Sequence, residues 1–355
     1  MLFLKDHTSE ELVAALADAA PPGVVRKLHA AAVRRGAIEI PQHMPSVSWR
    51  LLDRLRQRVT IPRLRLEEKL VSPTDGFAKY LFRGADDLPF EAVRIPLLHR
   101  SGDQKYVVCV SSQIGCALAC AFCATGRLGF QRNLAAWEIV DQVTQIQADS
   151  PHPVRGVVFM GMGEPMLNYD RVIRAARILA EPCGMAIAAK AITISTVGVV
   201  PGIRRFTAER QPYRLIVSLT AARSEKRAAL FPIEHVHPLP ELMAAARDYH
   251  AATRRRVTFA WTVMSGVNTS RDDARALAEL TRGLPIQLDL IDVNDPTGEF
   301  RPPSAEEIDA FRDVLREELG MPVVRRYSGG QDIHGGCGML AARAHPALRR
   351  AAVIS

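Results

Sequence analysis

The chain has 355 residues, of which 46 are Lys or Arg and 38 are Asp or Glu, and its formal net charge is +8. This length allows one large core with a smaller appendage. The six cysteines do not indicate a secreted disulfide scaffold in a chain this long. The start does not resemble a signal peptide and no run of eighteen apolar residues occurs, so we expect a cytoplasmic protein without membrane contact.

Arginine supplies much of the positive charge, often in adjacent positions: 34–35, 204–205, 254–256, 325–326 and 349–350. Guanidinium groups bind phosphate in a bidentate manner, so this distribution favours a nucleic acid as partner. A solvated, arginine-rich surface is the alternative interpretation.

Residues 1–60 are predicted to form a helical accessory domain. A capping pattern at Thr8 and Glu11 begins the first helix, and further helices are predicted over 24–35 and 49–59. Residues 61–98 contain three strand-like segments, 64–71, 78–83 and 90–95, with a turn signal at 72–76 between the first two. We expect them to form a short antiparallel β extension or linker.

Residues 99–355 are predicted to form the main domain, in which strands and helices alternate. The predicted strands are 106–110, 156–160, 191–196, 214–219, 256–263 and 286–293. The predicted helices are 134–147, 169–179, 201–207, 240–252, 270–280 and 304–319. This alternation predicts an α/β fold with a parallel sheet. Six units are too few for an eight-stranded barrel, so we expect a partial (βα)6 barrel.

The loop after the first of these strands contains Cys116, Cys120 and Cys123 at CxxxCxxC spacing. Thiolates select zinc, copper(I) or iron–sulfur clusters, and a structural zinc site normally has four protein ligands in two separated pairs. Three ligands on a four-iron cluster leave one iron open. The spacing resembles that of radical S-adenosylmethionine (SAM) enzymes, in which the cofactor takes the open iron. Three buried cysteines, or a zinc site completed from elsewhere in the chain, are the alternatives.

Other polar or flexible residues fall where strands of the predicted sheet end, which is where α/β folds place their ligands. Gly163 and Glu164 follow the second strand, in a segment similar to the one that binds the methionyl amino group in radical SAM enzymes. Ser195, Ser218 and Asn294 follow later strands, at positions suited to hydrogen bonds with the rest of the cofactor. Each of them taken singly is more typical of a turn or a cap.

Three cysteines lie outside the loop. Cys109 is within the first strand and would by itself be read as a buried apolar residue. Cys337 is flanked by glycines, and this context favours an exposed, nucleophilic thiol. Cys183 is interpreted as structural.

Four segments together closely resemble the dual-cysteine radical SAM RNA methyltransferases of the RlmN and Cfr type. These segments are VCVSSQIGCALACAFCATG (108–126), VFMGMGEPMLNY (158–169), ITISTVGVVPGI (192–203) and DIHGGCG (332–338). The similarity extends from about residue 79 to residue 337. It implies a radical SAM barrel, a [4Fe-4S] cluster held by the three loop cysteines, and two SAM molecules per turnover.

The resemblance also implies a mechanism for methylating an adenine carbon, C2 in preference to C8. One SAM methylates the thiolate of Cys337, and the 5′-deoxyadenosyl radical made from a second SAM activates that methyl group for addition to the base. Glu91 then removes the ring proton, and Cys109 releases the product by forming a disulfide with Cys337. A reducing electron donor such as flavodoxin is implied, and we expect a monomer.

Several substrate-facing segments depart from the family pattern. Residues 218–223 read SLTAAR where the family has Ser-Leu-His-Ala followed by Asn, and 43–48 and 260–269 also differ. These departures concern the substrate, for which ribosomal or transfer RNA is expected, more than the reaction. A free nucleotide, a nucleoside or another small heteroaromatic remains an alternative substrate. A non-catalytic RNA-binding iron–sulfur protein is the second alternative.

Overall fold

The computed structural model describes residues 1–97, 104–295, 297–326, 329–333 and 339–344. The strands are β1 (Leu2–Phe3), β2 (Val59–Thr60), β3 (Arg65–Val71), β4 (Ala78–Arg83), β5 (Pro89–Leu97), β6 (Lys105–Cys109), β7 (Gln113–Gly115), β8 (Phe130–Asn133), β9 (Val154–Phe159), β10 (Ile192–Thr196), β11 (Arg214–Ser218), β12 (Val257–Val263), β13 (Ile286–Asp292) and β14 (Val324–Arg325). The helices are α1 (Ser9–Ala15), α2 (Pro22–Val33), α3 (Trp49–Arg56), α4 (Ala124–Arg127), α5 (Ala136–Asp149), α6 (Tyr169–Ala180), α7 (Val200–Ala208), α8 (Ser224–Leu230), α9 (Leu239–Thr253), α10 (Arg271–Leu280), α11 (Ala305–Leu319) and α12 (Met339–Ala344). Within these residues, no helix is both long and apolar enough to cross a membrane.

Six parallel strands form the centre of the fold, and they neighbour one another in chain order: β6, β9, β10, β11, β12 and β13. The short β14 continues the sheet beside β13. Apolar side chains such as Val157, Ile194 and Leu288 are buried because helices cover the sheet. The predicted α/β fold with a partial (βα)6 barrel is confirmed, and the sheet stays open between its edge strands.

The antiparallel extension is also confirmed, and it belongs to the same sheet as the barrel. Strands β5, β4 and β3 follow β6 at one edge, and each pairs antiparallel with its neighbour. Val93 of β5 lies opposite Cys109 of β6 in this register. Ten strands therefore form one continuous layer. The proposed division at residues 60 and 98 stays a prediction.

Short elements around the cysteine loop were not predicted. Strands β7 and β8 form a small hairpin on either side of the loop, and helix α8 lies between β11 and α9. β7 has three residues and β8 has four. Segments this short carry too little hydrophobic periodicity to be recognised from the sequence.

The N-terminal helices have their own hydrophobic cluster, which includes Leu12, Leu28 and Leu52. A buried ion pair joins this region to α5, since Lys5 Nζ lies 2.5 Å from Asp141 Oδ1 and both side chains are almost fully buried. The other carboxylate oxygen of Asp141 accepts hydrogen bonds from the Leu64 amide at 2.7 Å and the side-chain amide of Gln145 at 2.8 Å. Asp141 therefore connects the N-terminal helices, the β extension and the barrel.

Replacement of Asp141 by Ala is expected to lower the free energy of unfolding by about 3–5 kcal/mol, because it leaves the Lys5 ammonium buried without its counter-ion. Asp170→Ala is the control, since its pair with Arg205 is exposed to solvent and should contribute much less to stability. Urea unfolding of both variants measures the two losses. Equal losses of unfolding free energy would show that the buried pair contributes no more to stability than the exposed pair.

Candidate active site

The three loop cysteines lie between the hairpin strand β7 and helix α4. Cys116 follows β7 directly, and Cys123 occupies the N-cap position of α4. Gly115, at the end of β7, has a φ of +72°, and a Cβ atom there would lie 1.7 Å from the carbonyl oxygen of Gly129. A glycine is therefore required at this position for the loop to close on itself.

Contacts from two later parts of the barrel hold this loop. The Ala121 amide donates to the Leu230 carbonyl of α8 at 3.0 Å. Arg127 donates from Nη2 to the Ala121 carbonyl at 2.9 Å and from Nη1 to Asp295 Oδ1, beyond β13, at 2.7 Å. The Phe122 ring meets that of Phe231 edge-on, with 5.4 Å between centroids. The loop of the first βα unit is thus fixed to the fourth and sixth.

A cavity of about 190 Å³ lies beneath this loop, at the ends of the parallel strands. The residues predicted from the sequence that line it are Cys116, Cys120, Cys123, Gly163, Glu164, Ser195 and Ser218. Asn294 is exposed and does not line the cavity, although it follows β13 as predicted. Phe231 and Thr262 also line it, and neither had a signal in the sequence that distinguished it from a core or turn residue.

Glu164 is buried beside this cavity, and its carboxylate is held by backbone amides. Met166 N donates to Oε1 and Val197 N donates to Oε2, both at 3.0 Å. Burial raises the pKa of Glu164 to about 7, although the hydrogen bonds from Val197 and Met166 lower it. The carboxylate is therefore positioned and poorly hydrated, and a cationic ligand in the cavity would stabilise its charged form.

The glycines after β9 are needed for packing between chain segments. A Cβ atom on Gly161 would lie 2.6 Å from the Val110 carbonyl oxygen. Gly163 has a φ of +96°, and a Cβ atom there would lie 2.5 Å from Cβ of Gln113. In the structure these glycines let the β9 exit approach the chain that follows β6, and this contact shapes the wall of the cavity.

The donor set at this cavity fits a group larger than one ion. No cluster of three His, Cys, Asp or Glu side chains suited to a single metal ion exists among the described residues. The three thiols nevertheless line one cavity, as the ligands of a multi-iron cluster would. Burial raises the pKa of Cys116 to about 12 and that of Cys120 in the same direction, so thiolates form there only with a positively charged partner.

Cys109 and Glu91 lie on the same face of the sheet, at the border between the β extension and the barrel. Cys109 is buried in a small cluster with Val93, and Met160, which lines the cavity, packs against this cluster. Glu91 is two residues before Val93 on β5, so it is on the same face of the sheet as Cys109. Its side chain is 1% exposed and its Oε1 lies 3.3 Å from Lys79 Nζ.

Cys337 lies outside the described residues, but both neighbouring stretches of chain reach this face. Ile333 packs against the Cys109 cluster. The backbone amides of Leu340 and Ala341 donate to Glu91 Oε2 at 3.0 and 3.2 Å. Helix α12 also contacts α4, the helix that follows the cysteine loop. The last described part of the chain is therefore anchored between the predicted base and the predicted cluster loop.

Comparisons with known proteins agree with this arrangement. Residues 110–279 match the family model of the Radical SAM superfamily. A probable RNA methyltransferase of Myxococcus xanthus is 52% identical over 96% of this chain and 94% of its own length. The dual-specificity RNA methyltransferase RlmN of Syntrophobacter fumaroxidans is 46% identical over 76% of this chain and 77% of its own length.

A solved structure has the same fold. The crystal structure of a radical SAM methyltransferase from Sphaerobacter thermophilus superposes with a TM-score of 0.86 at 38% identity, covering 95% of this chain and 98% of that one. The family implies a [4Fe-4S] cluster and SAM, and the cavity beneath the loop offers the thiols for the former. The chain therefore belongs to the RlmN-type family of radical SAM RNA methyltransferases.

Proposed function

We propose that this enzyme methylates a ring carbon of adenine in RNA, C2 in preference to C8, with Cys337 as the methyl carrier. The observation that carries the proposal is the packing of Ile333 and of α12, on either side of Cys337 in the chain, against Cys109 and Glu91. The printed names of the relatives support RNA as the substrate class, with ribosomal or transfer RNA as candidates. We further propose a monomeric, cytoplasmic enzyme that uses two SAM molecules per turnover and a flavodoxin-type electron donor.

Cys116, Cys120 and Cys123 would hold the cluster, and Gly163, Glu164, Ser195 and Ser218, which line the same cavity, would position SAM. Cluster and cofactor, when bound, supply the methyl group and the radical chemistry that an electron-poor adenine carbon requires.

The chain's own residues carry the remaining steps. Cys337 takes up the methyl group as a thioether and presents it to the base, and Glu91 accepts the proton that leaves the ring carbon. The Cys109 thiolate then forms an S–S bond with Cys337 while the bond between the Cys337 sulfur and the transferred carbon breaks. The electron pair of that bond stays with the transferred carbon, which takes up a proton to complete the methyl group, and the two cysteines are left oxidised as a disulfide that must be reduced before the next turnover.

Glu91 has a second task in this proposal, because its carboxylate is occupied by the first amides of α12 and by the Lys79 ammonium. These contacts hold the carboxylate in place and fix the helix that follows Cys337. Removal of the carboxylate would therefore affect both proton transfer and the placement of the methyl carrier.

Cys337→Ala is expected to abolish methyl transfer to RNA, because the acceptor thiol is absent. Cys183→Ala is the matched control, since Cys183 lies between α6 and β10 and does not line the cavity. Mass spectrometry of the modified adenine measures both, and turnover by Cys337→Ala at the wild-type rate would refute the assignment.

Cys109→Ala is expected to permit attack on the base and to block release. A covalent complex of enzyme and RNA should accumulate and survive denaturing electrophoresis. Ribosomal RNA, transfer RNA and adenine nucleotides are offered in parallel, so the same gels and mass spectra identify the substrate. If an adduct forms only with a free nucleotide, the substrate is a small molecule and not RNA. Normal turnover without any adduct would remove Cys109 from the mechanism.

Glu91→Gln is expected to slow product formation at least about 100-fold while the adduct accumulates, because the amide retains an oxygen for α12 but cannot take the proton. Glu91→Ala should in addition lose the docking of α12, seen as faster hydrogen exchange at Leu340 and Ala341. If hydrogen exchange at Leu340 and Ala341 and the rate of turnover are those of the wild type in both variants, Glu91 neither accepts the proton nor holds α12.

A further inference from the structure

One buried guanidinium beside the cavity has no place in the proposed mechanism. Arg227 of α8 has a side chain that is 0% exposed, and its Nη2 donates a hydrogen bond to the carbonyl of Val197, a residue that lines the cavity. Its Cζ lies 4.8 Å from the centre of the Phe231 ring, which forms another part of the cavity wall. Because the charge of an arginine persists at all physiological pH values, this is a permanent cation in a dry environment.

The anion that faces Arg227 only partly compensates it. Glu234 Oε2 lies 3.1 Å from Arg227 Nε, but neither atom has a partner in hydrogen-bond geometry, and Nη1 of Arg227 also lacks one. The other oxygen of Glu234 accepts from the Leu239 amide at the start of α9, at 2.8 Å, so the carboxylate is shared with a helix N-terminus. Such an incompletely paired guanidinium is costly to bury unless something else is gained from its charge.

The charge is directed towards the cysteine loop. Leu230, three residues after Arg227, accepts the Ala121 amide of the loop at 3.0 Å, and Cys120 shares a hydrophobic cluster with Leu230 and Phe231. Val197, whose carbonyl accepts from Arg227, donates its own amide to Glu164 Oε2 at 3.0 Å. Arg227 is thus a cation placed directly behind the cavity wall that carries the acidic and thiol groups.

We propose that the positive charge of Arg227 raises the reduction potential of the cluster held by the cysteine loop. The negative charge of Glu234 makes this effect smaller. The inference rests on the proposed function, since it requires a cluster at Cys116, Cys120 and Cys123. Reduction adds one electron to the cluster, and a fixed positive charge nearby stabilises the reduced form relative to the oxidised form.

Arg227 and Glu234 carry opposite charges, so removing each charge should shift the reduction potential in opposite directions. Arg227→Met should make reduction of the cluster less favourable by about tenfold or more, a shift of roughly 59 mV to lower potential for a one-electron couple. Glu234→Gln should shift the potential in the opposite direction. Arg227→Lys should remain close to the wild type, because it keeps the charge. The measurement is an EPR-monitored redox titration of the reconstituted full-length protein without substrate.

Lys226→Met is the matched control, because it removes a positive charge from the preceding position of α8. Lys226 pairs with Asp273 at 2.5 Å and is half-buried, so its removal should change the equilibrium constant of reduction less than twofold. The double variant Arg227→Met, Glu234→Gln serves where the single Arg227 variant does not fold, and it should lie below Glu234→Gln in potential.

Two failures are distinguishable. A wild-type protein that assembles no iron–sulfur cluster would contradict the proposed function and this inference with it. A wild-type cluster whose potential is unchanged in Arg227→Met and Glu234→Gln, or moves in the same direction in both, would overturn the role of Arg227 alone.

Discussion

Two buried thiols, a third half-buried thiol and a buried carboxylate line a single cavity, and this accumulation of groups that become anionic is the constraint on which the rest of the site depends. Water is too scarce there to stabilise their charged forms, so protein dipoles and a bound cation must do so. Backbone amides donate to Glu164, and Arg227 lies behind Val197 and Phe231 of the cavity wall. A cationic ligand and an iron–sulfur cluster would supply what these groups leave uncompensated.

Contacts across the mouth of the barrel hold the cysteine loop in place. The cysteine loop belongs to the first βα unit, yet it is held by Leu230 after the fourth parallel strand and by Asp295 after the sixth. A partial barrel has an open side, and contacts across its mouth substitute for the missing strands. Asp295 links the loop to the chain after β13: its Oδ1 accepts a hydrogen bond from Arg127, and its Oδ2 accepts one from the amide of Phe300 at 3.1 Å.

Sequence periodicity was sufficient for the large elements, because long apolar strands and amphipathic helices are determined by local pattern. It placed the six barrel strands, the antiparallel extension and the cysteine loop. It was not sufficient for the role of the Gly161 backbone, which depends on a neighbouring chain segment, or for Arg227, which resembles any exposed arginine of a charged helix. Asn294 was predicted to bind the cofactor because it follows a strand, but its side chain is exposed in the folded protein.

The functional residues show the same division. A motif identifies Cys116 and its partners locally, since the ligands lie within eight residues of one another. The proximity of Glu91 to α12 joins residues about 250 positions apart, and only the folded chain brings them together. The family resemblance supplied the role of Glu91 in advance, and the chemistry of its isolated segment would not have done so.

The anchoring of the chain on both sides of Cys337 limits how far a group on that residue can travel. Ile333 is packed on the sheet and Leu340 is bonded to Glu91, and the seven residue steps between them can span at most about 25 Å when fully extended. In the proposed reaction, a methyl carrier on so short a length of chain would not reach a base that stays stacked inside an RNA helix. For the proposed reaction the adenine must therefore leave its stack and enter the barrel mouth, so substrate choice is expected to depend on how readily a given nucleotide can be extruded.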